Sequence, residues 1–282
     1  SDWNDSPRVG VIESDRPMSM RVVFVAAIIQ VTTAVSLTSI VLQLRGGEDD
    51  LVEQQLKRQG NVGPLCREEI VEKLNAVPTF CIMQDDGSVI SLPDVDGSEG
   101  DECCTWFLTA EEARSSLVKV KAANPNLSVR LVSQNLGDFI MMSDGWPQKV
   151  DAPSSDDGPR LKLKGLSEVT TMVGPQLVKA LDGAGLNPGL WQVAVFVAEE
   201  LAQATTEGEQ TMLPIFLSPN DVRAAYDKLS ISPEALSRVK VLELRQLIQM
   251  MTAETPDAIN PWRAAQFLTS PSAIQLAHQL EA

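Results

Sequence analysis

The sequence predicts an α+β protein of two lobes, each α-β-β-α-β-α and related by a pseudo-twofold axis, preceded by one transmembrane helix. Three observations predict it. The segment from Phe107 recurs at Phe216, each copy carries the sequence pattern of a strand running into a capped helix, and residues 22–44 hold no charge.

The uncharged run lies between Arg21 and Arg45. A helix of that length crosses a hydrocarbon core. Gln30, Thr32, Thr33, Ser36, Thr38, Ser39 and Gln43 dilute its apolar character, and small polar side chains are common where membrane helices touch one another. The run therefore reads as a helix packed among membrane proteins; a buried soluble helix and a signal peptide are the competing readings. Arg8, Arg16 and Arg21 balance Arg45, Lys57 and Arg58, so the charges set no orientation. Ser1 in place of Met fits a chain whose targeting sequence has been removed.

The duplication is densest at Phe107-Leu108-Thr109 and Phe216-Leu217-Ser218. Thr109 with Glu112, and Ser218 with Asp221, stand at capping-box spacing, in which a hydroxyl caps early amides and an acid reaches back. The helices that follow present Ala113, Leu117 and Val120, then Val222, Tyr226 and Leu229, at helical period. Upstream, Ile70 and Leu74 correspond to Leu177 and Leu181 on short helices. Residues 79–83 and 193–197 read as buried strands. Turn signals follow at Asp86-Gly87 and Glu207-Gly208, and the first hairpin carries an acidic insertion over residues 93–102. Residues 129–132 and 239–242 read as third strands leading into helices that end in Met141-Met142 and Met250-Met251. A three-stranded sheet is marginal alone, so the lobes are expected to pack together.

The expected organisation is an extension over 1–20, a transmembrane helix over 21–45, a linker over 46–64, a duplicated domain over 65–252 with lobes 65–142 and 170–252, and docking helices over 253–282. Residues 144–159 join the lobes. Asn260-Pro261 and Ser270-Pro271 start two short C-terminal helices. Ala273, Leu276, Ala277 and Leu280 share one face of the last, which must dock on its own domain or on a neighbour.

The chain has 282 residues, 44% of them hydrophobic, enough for one or two real cores. Its formal charge of −15 and pI near 4.5 repel phosphate backbones and anionic membrane surfaces. Nucleic acid is excluded as a partner on that ground. Of the four cysteines, Cys81 with Cys103 or Cys104 leaves one cross-strand disulfide geometrically open.

Four stretches resemble the intermembrane-space subunit of the chloroplast inner-envelope translocon, the twenty-two-kilodalton Tic component, and its cyanobacterial relatives. They are Lys73-Leu74-Asn75-Ala76-Val77-Pro78-Thr79-Phe80, Phe107-Leu108-Thr109-Ala110-Glu111-Glu112-Ala113, residues 118–127 with Asn124-Pro125, and Leu213-Pro214-Ile215-Phe216-Leu217-Ser218. The resemblance covers residues 65–252. It implies a two-lobed α+β domain with apolar grooves that hold polypeptide, in a plastid membrane setting and without catalytic residues.

A search for chemistry agrees with that expectation. His278 is the sole histidine, so a single chain assembles neither a multi-histidine metal site nor a histidine triad. Gly183, Gly185 and Gly189 read as a helix end and turn, not a dinucleotide fingerprint. Asp85-Asp86, Asp156-Asp157 and Glu199-Glu200 read as solvated acids of turns and strand ends. No enzyme, metal or resident cofactor is expected. Chlorophyll or lipid contact at the membrane helix is the one cofactor contact left open, and Gln30 and Gln43 read more readily as interhelical hydrogen-bonding groups.

The partner-binding candidates are therefore Gln30 and Gln43 in the span, Trp146 and Trp262 as contact anchors, and Met141, Met142, Met250 and Met251 as lining for a forgiving groove. Trp106 and Trp191 read as core. Two functions follow. The first is an accessory subunit of a large plastid membrane complex, a thylakoid photosystem with its antenna. The alternative is a membrane-tethered chaperone or import component, in the envelope, that holds polypeptides in transit.

Overall fold

The computed structural model of the protein describes residues 62–93, 102–143, 146–147, 160–204, 212–253 and 259–281. The expected membrane span with Gln30 and Gln43, most of the acidic insertion, the Glu207-Gly208 turn and most of the 144–159 linker lie outside these residues. Among the described residues no helix is long and apolar enough to cross a membrane.

The chain is a mixed α+β protein built on two sheets. In order, the elements are α1 (Arg67–Leu74), β1 (Pro78–Gln84), β2 (Ser91–Pro93), β3 (Glu102–Phe107), α2 (Ala110–Ala123), β4 (Val129–Asn135), α3 (Leu136–Met142), β5 (Leu161–Lys164) and α4 (Ser167–Gly183). There follow β6 (Ala194–Val197), α5 (Glu199–Ala204), β7 (Leu213–Phe216), α6 (Pro219–Lys228), a 3-10 turn (Pro233–Arg238), β8 (Lys240–Glu243), α7 (Leu244–Met251), a second 3-10 turn (Pro261–Ala264), β9 (Ala265–Leu268) and α8 (Pro271–Glu281).

The repeat seen in sequence is also a repeat of register. In the first sheet Phe80 pairs with Phe107 and with Ser133, both antiparallel; in the second, Phe196 pairs with Phe216 and with Val241, both antiparallel. Each sheet then gains a parallel strand that the sequence did not predict. Phe107 pairs with Lys164 of β5, and Phe216 with Leu268 of β9. Because Phe107 has Phe80 on one side and Lys164 on the other, β5 lies on the edge of β3 away from β1. The strand-to-helix junctions repeat as well: Leu136 donates its amide to the Val77 carbonyl at 2.8 Å, and Leu244 to Val193 at 3.0 Å.

Strands alternate their side chains between faces, and this divides the core. Cys81, Cys104, Trp106 and Leu163 of the first sheet meet Val195, Val197, Ile215 and Phe267 of the second in one shared interior, with Ile70, Leu74, Phe139, Leu247 and Met251 of the helices between them. Trp106 stacks near Phe139, ring centroids 5.2 Å apart, and Phe139 near Trp191 at 6.1 Å, so aromatic packing crosses from one sheet to the other.

The outer faces are covered in crossed fashion. The outer face of the first sheet (Phe80, Ile82, Phe107) packs against α2 and α8, through Ala273, Leu276 and Ala277. That of the second (Ala194, Phe196, Phe216) packs against α6 and α4, through Val169, Val173 and Leu177. Thus β5 belongs to the first sheet while the helix after it covers the second, and β9 belongs to the second while its helix covers the first.

Several expectations are corrected. The segment after Asn260-Pro261 is a 3-10 turn followed by β9, not a helix, because the run Ala265-Gln266-Phe267-Leu268 finds the free edge of β7. The first helix of the second half is long, running from Ser167 through Pro175 to Gly183, and α5 intervenes between β6 and β7. Leu229 lies just past α6 and is 45% exposed, so it is no part of the buried stripe of Val222 and Tyr226. The capping hydroxyls act as expected, Thr109 Oγ1 accepting from the Glu112 amide at 3.4 Å and Ser218 Oγ from Asn220 at 3.2 Å. Glu112 does not reach back, however. Its Oε1 accepts the Ser167 amide at 2.8 Å and so caps α4.

Candidate functional site

On the outer face of the first sheet a cavity of 480 Å³ lies between β2, β3, β5 and α2, with Cys103, Thr105, Phe107 and Lys162 buried along it. The alternation of β3 sends Cys103, Thr105 and Phe107 to this face and Cys104 and Trp106 to the shared core. The alternation of β5 sends Lys162 and Lys164 out and Leu163 in. Ile90, Leu92, Phe107 and Val120 supply apolar surface, while Lys119, Lys162 and Lys164 bring positive charge. A volume of several hundred cubic ångströms suits a ligand or a few side chains of a peptide. Among the described residues the lining has no carboxylate and no histidine. It offers apolar surface and charge for recognition.

The parallel strands β5 and β9 are both buried, Leu163 and Phe267 being 1% and 2% exposed. The carbonyls of Arg160 and Lys164 accept from Cys104 and Leu108 of the first sheet at 2.8 and 2.9 Å. The ladder alternates, so Leu161 and Leu163 turn their amides and carbonyls to the other edge. Among the described residues no strand pairs there. The corresponding side of β9 is closed: α1 packs against it, and Lys73 Nζ donates to the Ala265 carbonyl at 3.0 Å and to that of Arg263 at 2.8 Å. Burial pushes the Lys73 amine down from its usual range, partly offset by Glu69.

A second concentration of polar chemistry is structural. Glu243 is fully buried; it accepts the amides of Val193 (3.3 Å), Arg245 (2.6 Å) and Gln246 (3.3 Å), capping α7. Arg245 donates to the carbonyls of Asn187 (3.0 Å), Pro188 and Trp191 and lies 4.6 Å above the Trp191 ring. Its Nε is 3.5 Å from Glu243 Oε1 but is misaligned and makes no hydrogen bond. Burial pushes the Glu243 carboxyl up, against the attraction of Arg245 and its three amide bonds, and pushes the Arg245 guanidinium down. The pair ties residues 187–191 to the core. Gly189, with φ +58°, has no room for a side chain because Arg245 Nη1 would stand 2.9 Å from its Cβ.

Among the described residues, the sequence-predicted partner candidates do not form one surface. Met141 and Met142 are 47% and 49% exposed at the end of α3, with Met142 Sδ accepting from Gln134 at 3.6 Å. Met250 is half-buried and Met251 is fully buried in the shared core, so the two methionine pairs are not equivalent. Trp146 is half-buried beneath the Arg67 guanidinium, 4.8 Å from its ring centre. Trp262, 1% exposed, is a core residue and presents nothing to a partner. The three lysines of the groove were missed; the one available signal was the strict Leu-Lys-Leu-Lys alternation of β5.

All four cysteines are free thiols. Cys103 faces the groove and Cys81 the shared core, so the Cys81–Cys103 pairing is excluded by geometry, and Cys104 instead lies 3.7 Å from Ser91 Oγ. Burial, then the neighbouring Cys104, pushes the Cys81 thiol up to about 11. Glu199 pairs with Lys240 at 2.7 Å and Glu200 with Arg238 at 2.6 Å, and His278 is exposed on α8. Among the described residues no cluster of His, Cys, Asp or Glu is arranged to hold a metal ion.

Fold and groove together define a two-sheet α+β protein whose apolar cleft is bordered by lysines. No protein-family model and no curated protein matches the sequence. Two solved structures are similar to it. One is Tic22 from Anabaena, described as a protein of protein transport, with 16% identity over 77% of this chain and 98% of that one and a TM-score of 0.49. The other is Tic22 from Plasmodium falciparum, with 16% identity over 75% and 97% and a TM-score of 0.47.

Proposed function

We propose that the chain is a non-catalytic protein of a plastid envelope that holds polypeptides in transit, with two pseudo-twofold-related halves, roughly residues 65–142 and 170–252, as its binding body. The single observation that carries the reading is the groove: apolar surface of Ile90, Leu92, Phe107 and Val120 bordered by Lys119, Lys162 and Lys164. The motif resemblance of residues 65–252 implies the same role, and protein transport is the activity named for the Anabaena protein.

Docking onto a thylakoid photosystem and its antenna, the other reading of the sequence, draws on the span and on Gln30 and Gln43, which fall outside the described residues, and on Trp262, which is buried. No described feature favours it. The envelope reading is tested by placing a photo-crosslinking residue at Ser116, on the groove wall, and offering the chain a labelled unfolded polypeptide. Micromolar, exchanging binding with crosslinks at that position is expected. No binding, or binding without crosslinks, defeats it.

A further inference from the structure

We propose that the cavity between β2, β3, β5 and α2 binds a single-chain anionic amphiphile, an unbranched hydrocarbon tail ending in a carboxylate. Such a ligand lies beyond polypeptide handling and is independent of it, although both use the same cavity.

The tail follows from the interior. Cys103 and Phe107 are buried on the floor, Val120 of α2 is buried above them, and Ile90 and Leu92 wall the cavity on the β2 side. The polar atoms of the floor already pair with one another, Cys103 Sγ lying 3.5 Å from Thr105 Oγ1. Among the described residues, none that lines the cavity leaves a buried side-chain oxygen or nitrogen unpaired. A peptide backbone pushed into this space brings amides and carbonyls against a floor whose own polar atoms are taken, and unpaired buried groups of that kind are costly. A hydrocarbon chain brings none, and every methylene that leaves water adds to binding. The volume of 480 Å³ falls within the range of small-molecule pockets.

The head follows from the rim. Lys119 is exposed on α2, and Lys164 is half-buried at the end of β5. Among the described residues neither ammonium has a hydrogen bond or an ion pair, whereas Lys162 is buried and already engaged, so the head falls to the other two. The described lining adds no acid, and an anionic head at the rim therefore meets cations without a like charge beside it. A lysine ammonium binds as a point charge on a flexible stem, which suits a small head better than a fixed fork of donors does. The chain's net charge of −15 opposes the head only weakly, because surface charges beyond about 8 Å are screened at physiological salt.

The test uses the full chain with dodecanoic acid carrying a photoreactive diazirine near its methyl end, kept below its micelle concentration. Saturable labelling in the micromolar range is expected, mapped by peptide mass spectrometry to residues 90–93, 103–107 and 116–124. Unlabelled dodecanoate is expected to compete, and dodecyltrimethylammonium, with the same chain and the opposite charge, to need about tenfold more or greater. Lys119→Gln combined with Lys164→Gln, two substitutions outside the packed core, is expected to weaken labelling about fivefold. Label confined to other parts of the chain, equal competition by the two amphiphiles, or unchanged labelling in the double variant would each overturn the proposal. A labelled unfolded polypeptide offered in parallel separates the two readings. Crosslinks at Ser116 without acid labelling leave polypeptide handling standing and defeat the amphiphile; acid labelling of the cavity without polypeptide binding does the reverse.

Discussion

The two halves share a register and differ in what fills the junction between last strand and last helix. Asn135-Leu136-Gly137 in the first half corresponds to Glu243-Leu244-Arg245 in the second. At Gly137 the helices α1 and α3 approach so closely that a Cβ would lie 2.2 Å from Asn75 Oδ1 and 2.5 Å from the Val71 carbonyl. At Arg245 the corresponding space holds a guanidinium, its buried carboxylate partner and the backbone of residues 187–191. A repeat can therefore keep its hydrogen-bond ladder while replacing close helix contact by a buried ion pair.

The sharpest way to break this comparison is Arg245→Met. It strands the buried Glu243 carboxylate, and removing one partner of such a pair costs about 3–5 kcal/mol, read as a lower denaturation midpoint. The double variant Glu243→Gln with Arg245→Met is expected to lose less than Arg245→Met alone. In the single variant the carboxyl is held still further above its unfolded-state range. Its neutral form is favoured in the fold, so the deficit shrinks as pH falls into the acid range and grows as pH rises through the raised value. A deficit independent of pH would show that the charge is not what the site depends on.

Gly137→Ala comes next. Its methyl meets backbone as well as a side chain, so α1 and α3 must separate; about 1–3 kcal/mol is expected, seen in thermal unfolding. Gly183→Ala, where nothing lies within 4 Å of the added Cβ, should be close to neutral by comparison.

A smaller effect distinguishes buried ionisable groups of the two core layers from exposed ones. The Cys81 thiol is held at about 11, and burial pushes Tyr226 up to about 12. Both are neutral in the fold and ionise earlier once unfolded. Their contribution is complete at neutral pH and is lost as pH rises from about 9 toward 12. Alkaline unfolding should therefore set in above pH 9 or so, and Cys66, the exposed thiol, should react with a thiol reagent well before the other three.

The smallest expected change is at Glu69→Gln. Its ion pair with Arg263 (2.9 Å) is partly exposed, and Arg263 keeps the carbonyls of Gly63 and Pro64. About 0.5 kcal/mol or less is expected, a shift of a few degrees at most in Tm.

The repeat was legible in the sequence because paired aromatic positions, hydroxyl caps and turn signals recur in order, and each of these is a local property. β5 and β9 were not legible: four-residue strands carry little periodicity, and both form by joining an edge supplied from elsewhere in the chain. The groove was hidden for a related reason. The Leu-Lys-Leu-Lys alternation does not itself report that β5 sets Lys162 and Lys164 beside Phe107 and α2. Trp262, read as a contact anchor at the start of a short docking helix, is buried because Asn260 donates to the carbonyls of Gly63 and Met251 and draws that segment inward.

The crossed covering of the sheets bears on how the polypeptide can be divided. Cutting within residues 144–159 leaves an N-terminal piece without α8, exposing Phe80, Ile82 and Phe107, and without β5 beside β3. The C-terminal piece retains α8 but has no first sheet on which to seat it. Neither fragment is a self-sufficient folding unit, so loss of structure in one is transmitted to the other, and mixing the two pieces is expected to restore a native species that neither yields alone.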